Sequence, residues 1–395
     1  MIKFDFKTFN NLIDDSNYKS KIHSIRKNIE KEYNFLNSEN CISQKEIEKI
    51  KKVSNYIKNN ADILIVMGTG AAYLNSKAII DIFKYTYLKN DIEIIYIGNT
   101  LSSQQLKETL EYVQDKDIVL NVISTSGNTI ETNLFFDVFF DLMEAKYDNK
   151  ELKKRIIITT HSKEGRLRKI TKENGFVSFP TKKNINERYS IITTVGLLPM
   201  CVFGIDIDKL IDGYNNGKKY EDKAYIYAVI RDIMYNQGKK IEVLTAYEPK
   251  LNTLIKWIQM VFATSQGKNN TGVIPVKAIN TDYIHILGNY LENGDTICFQ
   301  TSLAVATNSD IKINDKSLST INHLSMMSVA SSCVNHTPTN IITLNKLNEK
   351  TVGELIYFIM LTGIIGSYLL GVNPYDEKGL NKYKKKLIES MSAIK

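Results

Sequence analysis

Short apolar runs alternate along the chain with longer segments in which apolar residues recur at helical spacing. Four of the runs are short enough for buried strands, at residues 63–67, 92–97, 118–123 and 156–160. A helical pattern follows most of them, as in the segment that ends near Phe83. This alternation of strand and helix predicts a parallel, doubly wound sheet.

A second set of strand and helix signals occupies the C-terminal half of the chain. It predicts strands at 240–245, 296–300 and 340–344, and helices at 251–262, 282–290 and 352–370. Residues 1–60 are predicted to be helical, because apolar positions are spaced through charged residues. The predicted fold is α/β, with two mainly parallel, doubly wound sheets flanked by helices. The predicted units are an N-terminal helical segment, 1–42, packed on the second domain, and two α/β domains, 43–204 and 205–395.

The run at 118–123 leads without a break into a turn rich in hydroxyl groups: Ser124, Thr125, Ser126, Gly127, Asn128 and Thr129. A helical pattern begins directly afterwards, at Ile130. A helix N-terminus offers free N–H groups and partial positive charge, and neighbouring hydroxyls add donors, so the arrangement suits a phosphate monoester. The alternative is an ordinary serine N-cap. Four hydroxyls in six residues favour the phosphate site.

A glycine turn after the first strand, at residues 68–72, raises the alternative of a dinucleotide site. The turn lacks the third glycine of that fingerprint, and the next strand ends at Asn99 with no acid for a ribose hydroxyl. Support of a sugar-phosphate site is therefore favoured over a nicotinamide cofactor. A P-loop is excluded, because the segment at Gly267 and Lys268 lacks the required spacing.

Composition indicates which class of partner the protein binds and which compartment it occupies. The 51 Lys and Arg against 43 Asp and Glu give a net charge of +8, which attracts anionic metabolites. The basic residues form no stripe with interleaved aromatics, so no nucleic-acid partner is expected. The four cysteines form no CxxC and the histidines no metal-ligand spacing, which favours a reducing compartment and no metal. The longest apolar stretch, 355–372, is interrupted by Gly363 and Gly366 and is interpreted as a buried core helix. The sequence therefore predicts a soluble cytoplasmic protein without a membrane partner.

Several ordered motifs carry a resemblance to a known family. They are residues 124–132, Arg188, 195–199, 242–251, Trp257, 264–268, 272–275, 281–288, 370–376, Gly379 and Lys384. In this order, the chain resembles the phosphoglucose isomerase family over roughly residues 40–395, with the shorter bacterial form most similar. The resemblance implies two sugar-isomerase-type α/β domains and a homodimer with active sites shared between subunits. It also implies interconversion of glucose 6-phosphate and fructose 6-phosphate through a cis-enediol, without metal or cofactor.

The resemblance also assigns roles to residues. Ser124, Ser126 and Thr129 match the phosphate-binding hydroxyls, with Thr125 and Asn128 in the same loop, and Gly70 and Ala72 lie beside the substrate. Arg188 matches the cation that stabilises the enediolate, although a surface arginine is the alternative. His285 matches the ring-opening histidine, usually donated by the partner subunit, and the alternative is a core histidine. Lys384 matches the second ring-opening residue. A solvated lysine run, or a one-residue shift to Lys385, is the alternative there.

The chain departs from the family pattern at several of these positions. Thr264 stands where the family has the glutamate base, and a threonine hydroxyl has no accessible pKa for that work. Thr125 replaces a lysine, Ala72 a serine, Glu187 a glycine and Glu377 a glutamine. Two hypotheses follow. One is a divergent isomerase whose base is Glu377 or Glu187, with the carboxyl pKa lowered by a nearby cation. The other is a catalytically degenerate paralogue that binds sugar phosphates as a sensor or regulatory protein.

Overall fold

The computed structural model describes residues 1–9, 16–85, 87, 92–306 and 310–393. Within these ranges the strands form two five-stranded sheets and one two-stranded hairpin. The strands are β1 Ile2–Asp5, β2 Ile63–Met67, β3 Glu93–Ile97, β4 Ile118–Ser124, β5 Ile156–Thr160, β6 Val177–Pro180, β7 Ile241–Ala246, β8 Ile274–Ile279, β9 Cys298–Val305, β10 Lys312–Ile313, β11 Lys316–Ser317 and β12 Thr339–Leu344.

Helices cover both sheets and link them. The α-helices are α1 Ser16–Glu32, α2 Ser38–Cys41, α3 Gln44–Asn60, α4 Ala71–Phe83, α5 Ser103–Val113, α6 Ile130–Lys146, α7 Asn149–Arg155, α8 Arg166–Asn174, α9 Thr194–Phe203, α10 Ile207–Asn216, α11 Glu221–Asn236, α12 Asn252–Gln266, α13 Asp282–Asn293, α14 Leu318–Ser332, α15 Glu349–Leu369 and α16 Lys378–Ser392. A short 3-10 helix, Glu187–Ile192, precedes α9.

The first sheet is entirely parallel, with the strand order β3-β2-β4-β5-β6. Every residue of β2, β4 and β5 is buried, because helices cover both faces of the sheet. The strand order reverses between β2 and β4. At such a switch point the turns that follow the two strands diverge, and they leave a crevice at the carboxyl edge of the sheet. The Ser124–Thr129 loop follows β4 and lies at this crevice.

The second sheet has the order β1-β12-β9-β7-β8, in which only β1 runs antiparallel to its neighbour. The prediction of two mainly parallel sheets flanked by helices is therefore confirmed. The prediction of helix throughout residues 1–60 is wrong at residues 2–5, where Ile2 pairs with Leu344 at the sheet edge. A four-residue strand is specified by its distant partner β12 more than by its own pattern.

One of the apolar core clusters extends across both sheets and includes Leu64 and Ile79 from the first half and Trp257, Ile258 and Phe358 from the second. Helix α15 crosses this core. It is long and apolar enough to span a membrane by length and composition, yet most of it is buried inside the protein. The prediction of a buried core helix is confirmed.

A buried ionic network lies beneath the C-terminal end of α12. Arg231 Nε donates to Glu242 Oε2 at 2.7 Å, and the two side chains are only 2% and 0% exposed. Glu242 Oε1 also accepts from the Tyr227 hydroxyl at 2.6 Å. Arg231 Nη1 donates to the side-chain oxygen of Gln266, the last residue of α12. The network therefore fixes the end of α12 to β7 and α11.

Candidate active site

The loop that follows β4 is organised by its own hydroxyl groups. The Ser124 and Thr129 hydroxyls lie 2.8 Å apart, and Ser124 Oγ accepts from the Gly127 N–H at 3.1 Å. Thr129 is the N-cap of α6, yet its side chain makes no capping hydrogen bond. The first-turn N–H groups of α6 therefore have no side-chain cap, so the ordinary N-cap alternative is wrong. An uncapped N-terminus with adjacent hydroxyls is suited to an anion.

Gly127 sets the shape of this loop. Its φ angle is +71°, and a Cβ at this position would lie 2.9 Å from Thr160 Oγ1 and 3.2 Å from Gly165 Cα. A side chain would be strained by the backbone angle and would clash with the neighbouring segment. Thr125 is half-buried, and Ser126 and Asn128 are exposed at the crevice.

The glycine turn after β2 lies at the other side of the same switch point. Gly70 has a φ of +53° and is the N-cap residue of α4, and the space beside it is open. Ala72 is only 1% exposed, and a Cβ on Gly68 would lie 2.7 Å from the Ala72 methyl group. The structure therefore places Gly70 at the crevice and buries Ala72 within the turn.

Arg188 is held in a buried position by groups near the C-terminus. Its side chain is 5% exposed, and Nη2 lies 2.5 Å from Glu377 Oε1. Nη1 donates to the backbone carbonyl of Pro374. Asn186 donates to the same Glu377 oxygen at 3.2 Å. Arg188 is thus an inward-facing cation whose charge is already paired with a carboxylate, and the surface-arginine alternative is wrong.

A cleft of about 570 Å³ opens beside Arg188. Thr264 and Lys268, at the end of α12, line it together with Glu377. The Thr264 hydroxyl donates back to the Met260 carbonyl at 2.6 Å, so its proton is already engaged. Lys268 donates to the Asn373 carbonyl, and burial, together with the nearby Arg188, lowers the pKa of Lys268 to about 8.

The Glu187 carboxyl interacts with both the Ser124–Thr129 loop and the cationic groups. It interacts with Lys384, Glu377 and Arg188, and the Thr125 hydroxyl hydrogen-bonds to it. Burial is the largest influence on this group and raises the pKa of Glu187 to about 7, although Lys384 and Arg188 act in the opposite direction. The expectation that a nearby cation would lower this pKa is therefore wrong for Glu187, because desolvation outweighs the cations.

Two of the predicted site residues lie on exposed helix faces. Lys384 is exposed on α16, and its charge acts on Glu187, which favours Lys384 over the shifted alternative Lys385. His285 is exposed on α13, so the core-histidine alternative is wrong. His285 does not line the cleft beside Arg188 within its own chain. The structure thus brings the Ser124–Thr129 loop, Arg188, Lys384 and Glu377 together and leaves His285 apart.

Two further residues belong to the site and were not predicted. Lys268 follows Thr264 by four positions at the end of the helix, and the Gly267-Lys268 pair at a helix end was the available signal. Asn186 orders the turn before Arg188, since its side chain accepts from the Arg188 N–H at 3.2 Å. Across the described ranges, no cluster of three or more His, Cys, Asp or Glu side chains is arranged to hold a metal ion.

Comparison with known proteins identifies the family. The phosphoglucose isomerase model matches residues 44–303. The glucose-6-phosphate isomerase of Clostridioides difficile (strain 630) is 34% identical over 375 residues, which cover 87% of this chain and 83% of that protein. The chain belongs to the phosphoglucose isomerase family. Another such relative, from Caldanaerobacter subterraneus subsp. tengcongensis, is 33% identical over 371 residues, with 87% and 82% covered.

Solved structures share the fold of this phosphoglucose isomerase family member. A hypothetical protein from Thermus thermophilus superposes with a TM-score of 0.88 at 19% identity, and the match covers 99% of this chain and 100% of that one. A glucose-6-phosphate isomerase from Chlamydia trachomatis gives a TM-score of 0.75 at 16% identity, with 89% and 74% covered. At these identities the likeness establishes the architecture alone.

The loop of this family member offers a direct test. Replacing Ser124 with alanine is expected to lower the free energy of unfolding by about 1–3 kcal/mol, because the buried Gly127 N–H and Thr129 hydroxyl lose a partner. Urea unfolding measures this loss, and calorimetry with 6-phosphogluconate is expected to show weaker binding. The exposed Ser126→Ala variant is the control and is expected to change stability by less than about 0.5 kcal/mol. Equal stability losses in both variants would contradict the assignment of Ser124 as the organiser of the loop.

Proposed function

We propose that the protein is an aldose–ketose isomerase that interconverts glucose 6-phosphate and fructose 6-phosphate through a cis-enediol. Membership of the phosphoglucose isomerase family supports this assignment. The observation that carries it is the convergence of the uncapped loop at Ser124–Thr129, Arg188 and Lys384 around one carboxyl group, that of Glu187. No cofactor is required, because the reaction moves a proton and leaves the oxidation state of the whole molecule unchanged.

Each converging group has a task in this reaction. The loop hydroxyls and the N-terminus of α6 hold the phosphate, which fixes the sugar at the switch point. Lys384 and a histidine act as acid and base in ring opening. Arg188 stabilises the negative charge that develops on the enediolate oxygen. A carboxylate moves the proton between C1 and C2, and the site offers Glu187 and Glu377 for this role.

The histidine is proposed to come from a second copy of the chain. His285 is exposed and lies outside the cleft of its own subunit. Large exposed apolar side chains occur on α13, α14 and α16: Ile286, Tyr290, Leu318, Ile321, Leu324, Leu380, Tyr383 and Ile388. Apolar surface of this extent favours burial in an interface. We therefore propose a homodimer with shared active sites. A cytoplasmic location is proposed from the four free cysteines.

The proposed activity is tested by adding fructose 6-phosphate to the purified full chain and coupling the formation of glucose 6-phosphate to a dehydrogenase. A second measurement follows exchange of the C2 proton of glucose 6-phosphate with deuterium by NMR. Turnover in the first assay and exchange in the second are the expected results. Absence of both, with a folded protein that binds 6-phosphogluconate, would overturn the isomerase assignment.

A catalytically degenerate sugar-phosphate binding protein is the second candidate. Two observations favour it: Arg188 is already neutralised by Glu377, and Thr264 has no basic group. Such a protein would act as a sensor or regulatory partner. A panel of phosphosugars in a thermal-shift assay tests it, since a ligand at roughly 100 times its Kd stabilises by about 2.7 kcal/mol. Binding without C2 proton exchange would favour this candidate over the enzyme.

A further inference from the structure

We infer that the Glu187 carboxylate is the catalytic base that carries the proton between C1 and C2. The inference rests on the proposed isomerase function and names the group that performs its central step. It follows from which side chains at the site are free to take a proton and where they lie.

Thr264 is excluded first. A hydroxyl is too weak an acid to exist as a base near neutral pH. In this structure its proton also bonds to the Met260 carbonyl at 2.6 Å, within the same helix. Thr264 therefore supplies the cleft with no base.

Glu377 is engaged elsewhere. Its Oε1 lies 2.5 Å from Arg188 Nη2 and also accepts from Asn186 at 3.2 Å. This charge-assisted hydrogen bond commits the Glu377 carboxylate to Arg188. Lys268, which lines the same cleft, donates to the Asn373 carbonyl and lies near the cation Arg188. We assign Glu377 to holding Arg188 in place.

Asp376 also lines the cleft, but its carboxylate is paired with Lys378, whose hydrogen bond lowers the pKa of Asp376. Glu187 is then the remaining carboxyl, and its position fits the role. It directly precedes Arg188 in the 3-10 helix Glu187–Ile192, and Arg188 lines the cleft in which the enediolate oxygen is proposed to form. Thr125 of the phosphate loop also acts on the Glu187 carboxyl. The other charged groups that act on it are Lys384 from α16 and Glu377 from the preceding turn. A sugar whose phosphate sits on the loop and whose C1–C2 end reaches Arg188 must pass beside this carboxyl.

The acidity of Glu187 suits the same task. Burial, which outweighs the pull of Lys384, raises the pKa of Glu187 to about 7. A general base works best when its pKa lies near the operating pH. Glu187 and Glu377 thus form a pair of carboxyls in unlike environments, a pattern that separates a proton carrier from a charged structural partner.

The proposed step conserves protons and electrons. The Glu187 carboxylate takes the C2 proton of open-chain glucose 6-phosphate, and the electron pair of that bond forms the C1–C2 double bond. The carbonyl electrons move to O1, where Arg188 stabilises the charge. A proton then passes from O2 to O1. Glu187 returns its proton to C1 as O2 becomes the carbonyl oxygen of fructose 6-phosphate.

The test compares Glu187→Gln with wild type in the fructose 6-phosphate coupled assay, with Glu173→Gln, on an exposed face of α8, as the matched control. Glu187→Gln is expected to lower kcat by about 10²–10⁴-fold. The 6-phosphogluconate affinity, measured by calorimetry, is expected to rise, because a negative charge beside the phosphate loop is removed. A structural defect would instead weaken binding. Glu173→Gln is expected to keep wild-type values.

Two further measurements isolate the base. In wild type, kcat/KM is expected to rise with pH through about 7, since the active form of Glu187 is deprotonated. Adding Thr264→Glu to Glu187→Gln is expected to restore at least about tenfold of the lost rate, because it places a new carboxylate in the cleft beside Arg188.

The outcomes separate the two proposals. An active wild type with Glu187→Gln within about threefold of it would overturn the assignment of the base and leave the isomerase function standing. Loss of turnover in Glu377→Gln but not in Glu187→Gln would overturn it in favour of Glu377. A folded wild type without turnover or C2 exchange would overturn the function itself, and this inference with it.

Discussion

Replacing Arg188 with methionine is expected to lower kcat for fructose 6-phosphate isomerisation by about 10²–10³-fold, the usual effect of removing one preorganised group that stabilises developing negative charge. Arg188 is buried, and its guanidinium reaches both the Pro374 carbonyl and Glu377. Lysine is not an adequate substitute, because a single ammonium lacks the planar fork that serves both partners. The coupled assay measures the loss of rate.

Arg188→Met also leaves Glu377 without its cation, and this second effect needs its own control. The double variant Arg188→Met with Glu377→Gln is expected to regain stability in urea unfolding, because the unpaired carboxylate is gone, but to stay inactive. Glu377→Gln alone keeps an oxygen that can accept from Arg188 but removes the opposing charge, and it is expected to raise kcat. Recovery of turnover in the double variant would show that Arg188 serves only to balance Glu377.

The buried pair beneath α12 is expected to dominate the stability of the second half of the chain. Arg231→Met should lower the free energy of unfolding by about 3–5 kcal/mol, because Glu242 would keep a fully buried charge without a cation. The Gln266 side chain would lose the same partner, which loosens the helix end that carries Thr264 and Lys268. Urea unfolding measures the stability, and the coupled assay reports the effect on the cleft.

An exposed arginine pair provides the matched control. Arg26 and Asp222 are 40% and 81% exposed, so Arg26→Met is expected to cost only about 0–1 kcal/mol. Adding Glu242→Leu to Arg231→Met is expected to recover most of the loss, since an apolar pair can replace a buried ionic one. A cost below about 1 kcal/mol for Arg231→Met would contradict the assignment of the network as a structural anchor.

Much of the fold could be predicted because its strands are buried on both faces. The continuous apolar residues of β2, β4 and β5 are typical of a covered parallel sheet, and a helical pattern follows most of them. Other elements have weak local patterns. The strand β1 depends on β12, more than 300 residues away, and α16 has no buried residue that would mark its inner face. The sequence pattern predicted a helical context around Lys384, but no separate element for β6, β8, the β10–β11 hairpin or α14.

The site was predictable where its chemical groups are contiguous in the sequence. The Ser124–Thr129 loop follows its strand directly, so its place at the sheet edge is determined by local sequence. The state of Glu187 was not predictable, because its pKa depends on burial and on Lys384, which is almost 200 residues away in sequence. The pairing of Arg188 with Glu377 was likewise not predictable, because the two residues are far apart in sequence. Long-range packing decides which charged groups are free and which are paired.

The chain's own carboxylates also change the charge of the site relative to the family pattern. Thr125 removes a positive charge, Glu187 and Glu377 each add a negative charge, and Thr264 removes a negative one, so the site is two charge units more negative. An anionic ligand therefore meets less attraction. The loop hydroxyls and the N-terminus of α6 must supply most of the binding of the phosphate.

The Tyr189 hydroxyl lies 2.6 Å from Ser265 Oγ, and both residues are buried. The residue after Arg188 is thereby joined to the residue after Thr264, across a core that belongs to both sheets. The two walls of the cleft cannot swing apart as rigid halves without breaking this contact. We therefore expect sugar entry and release to proceed without separation of these two walls, and the turnover rate to be insensitive to solvent viscosity.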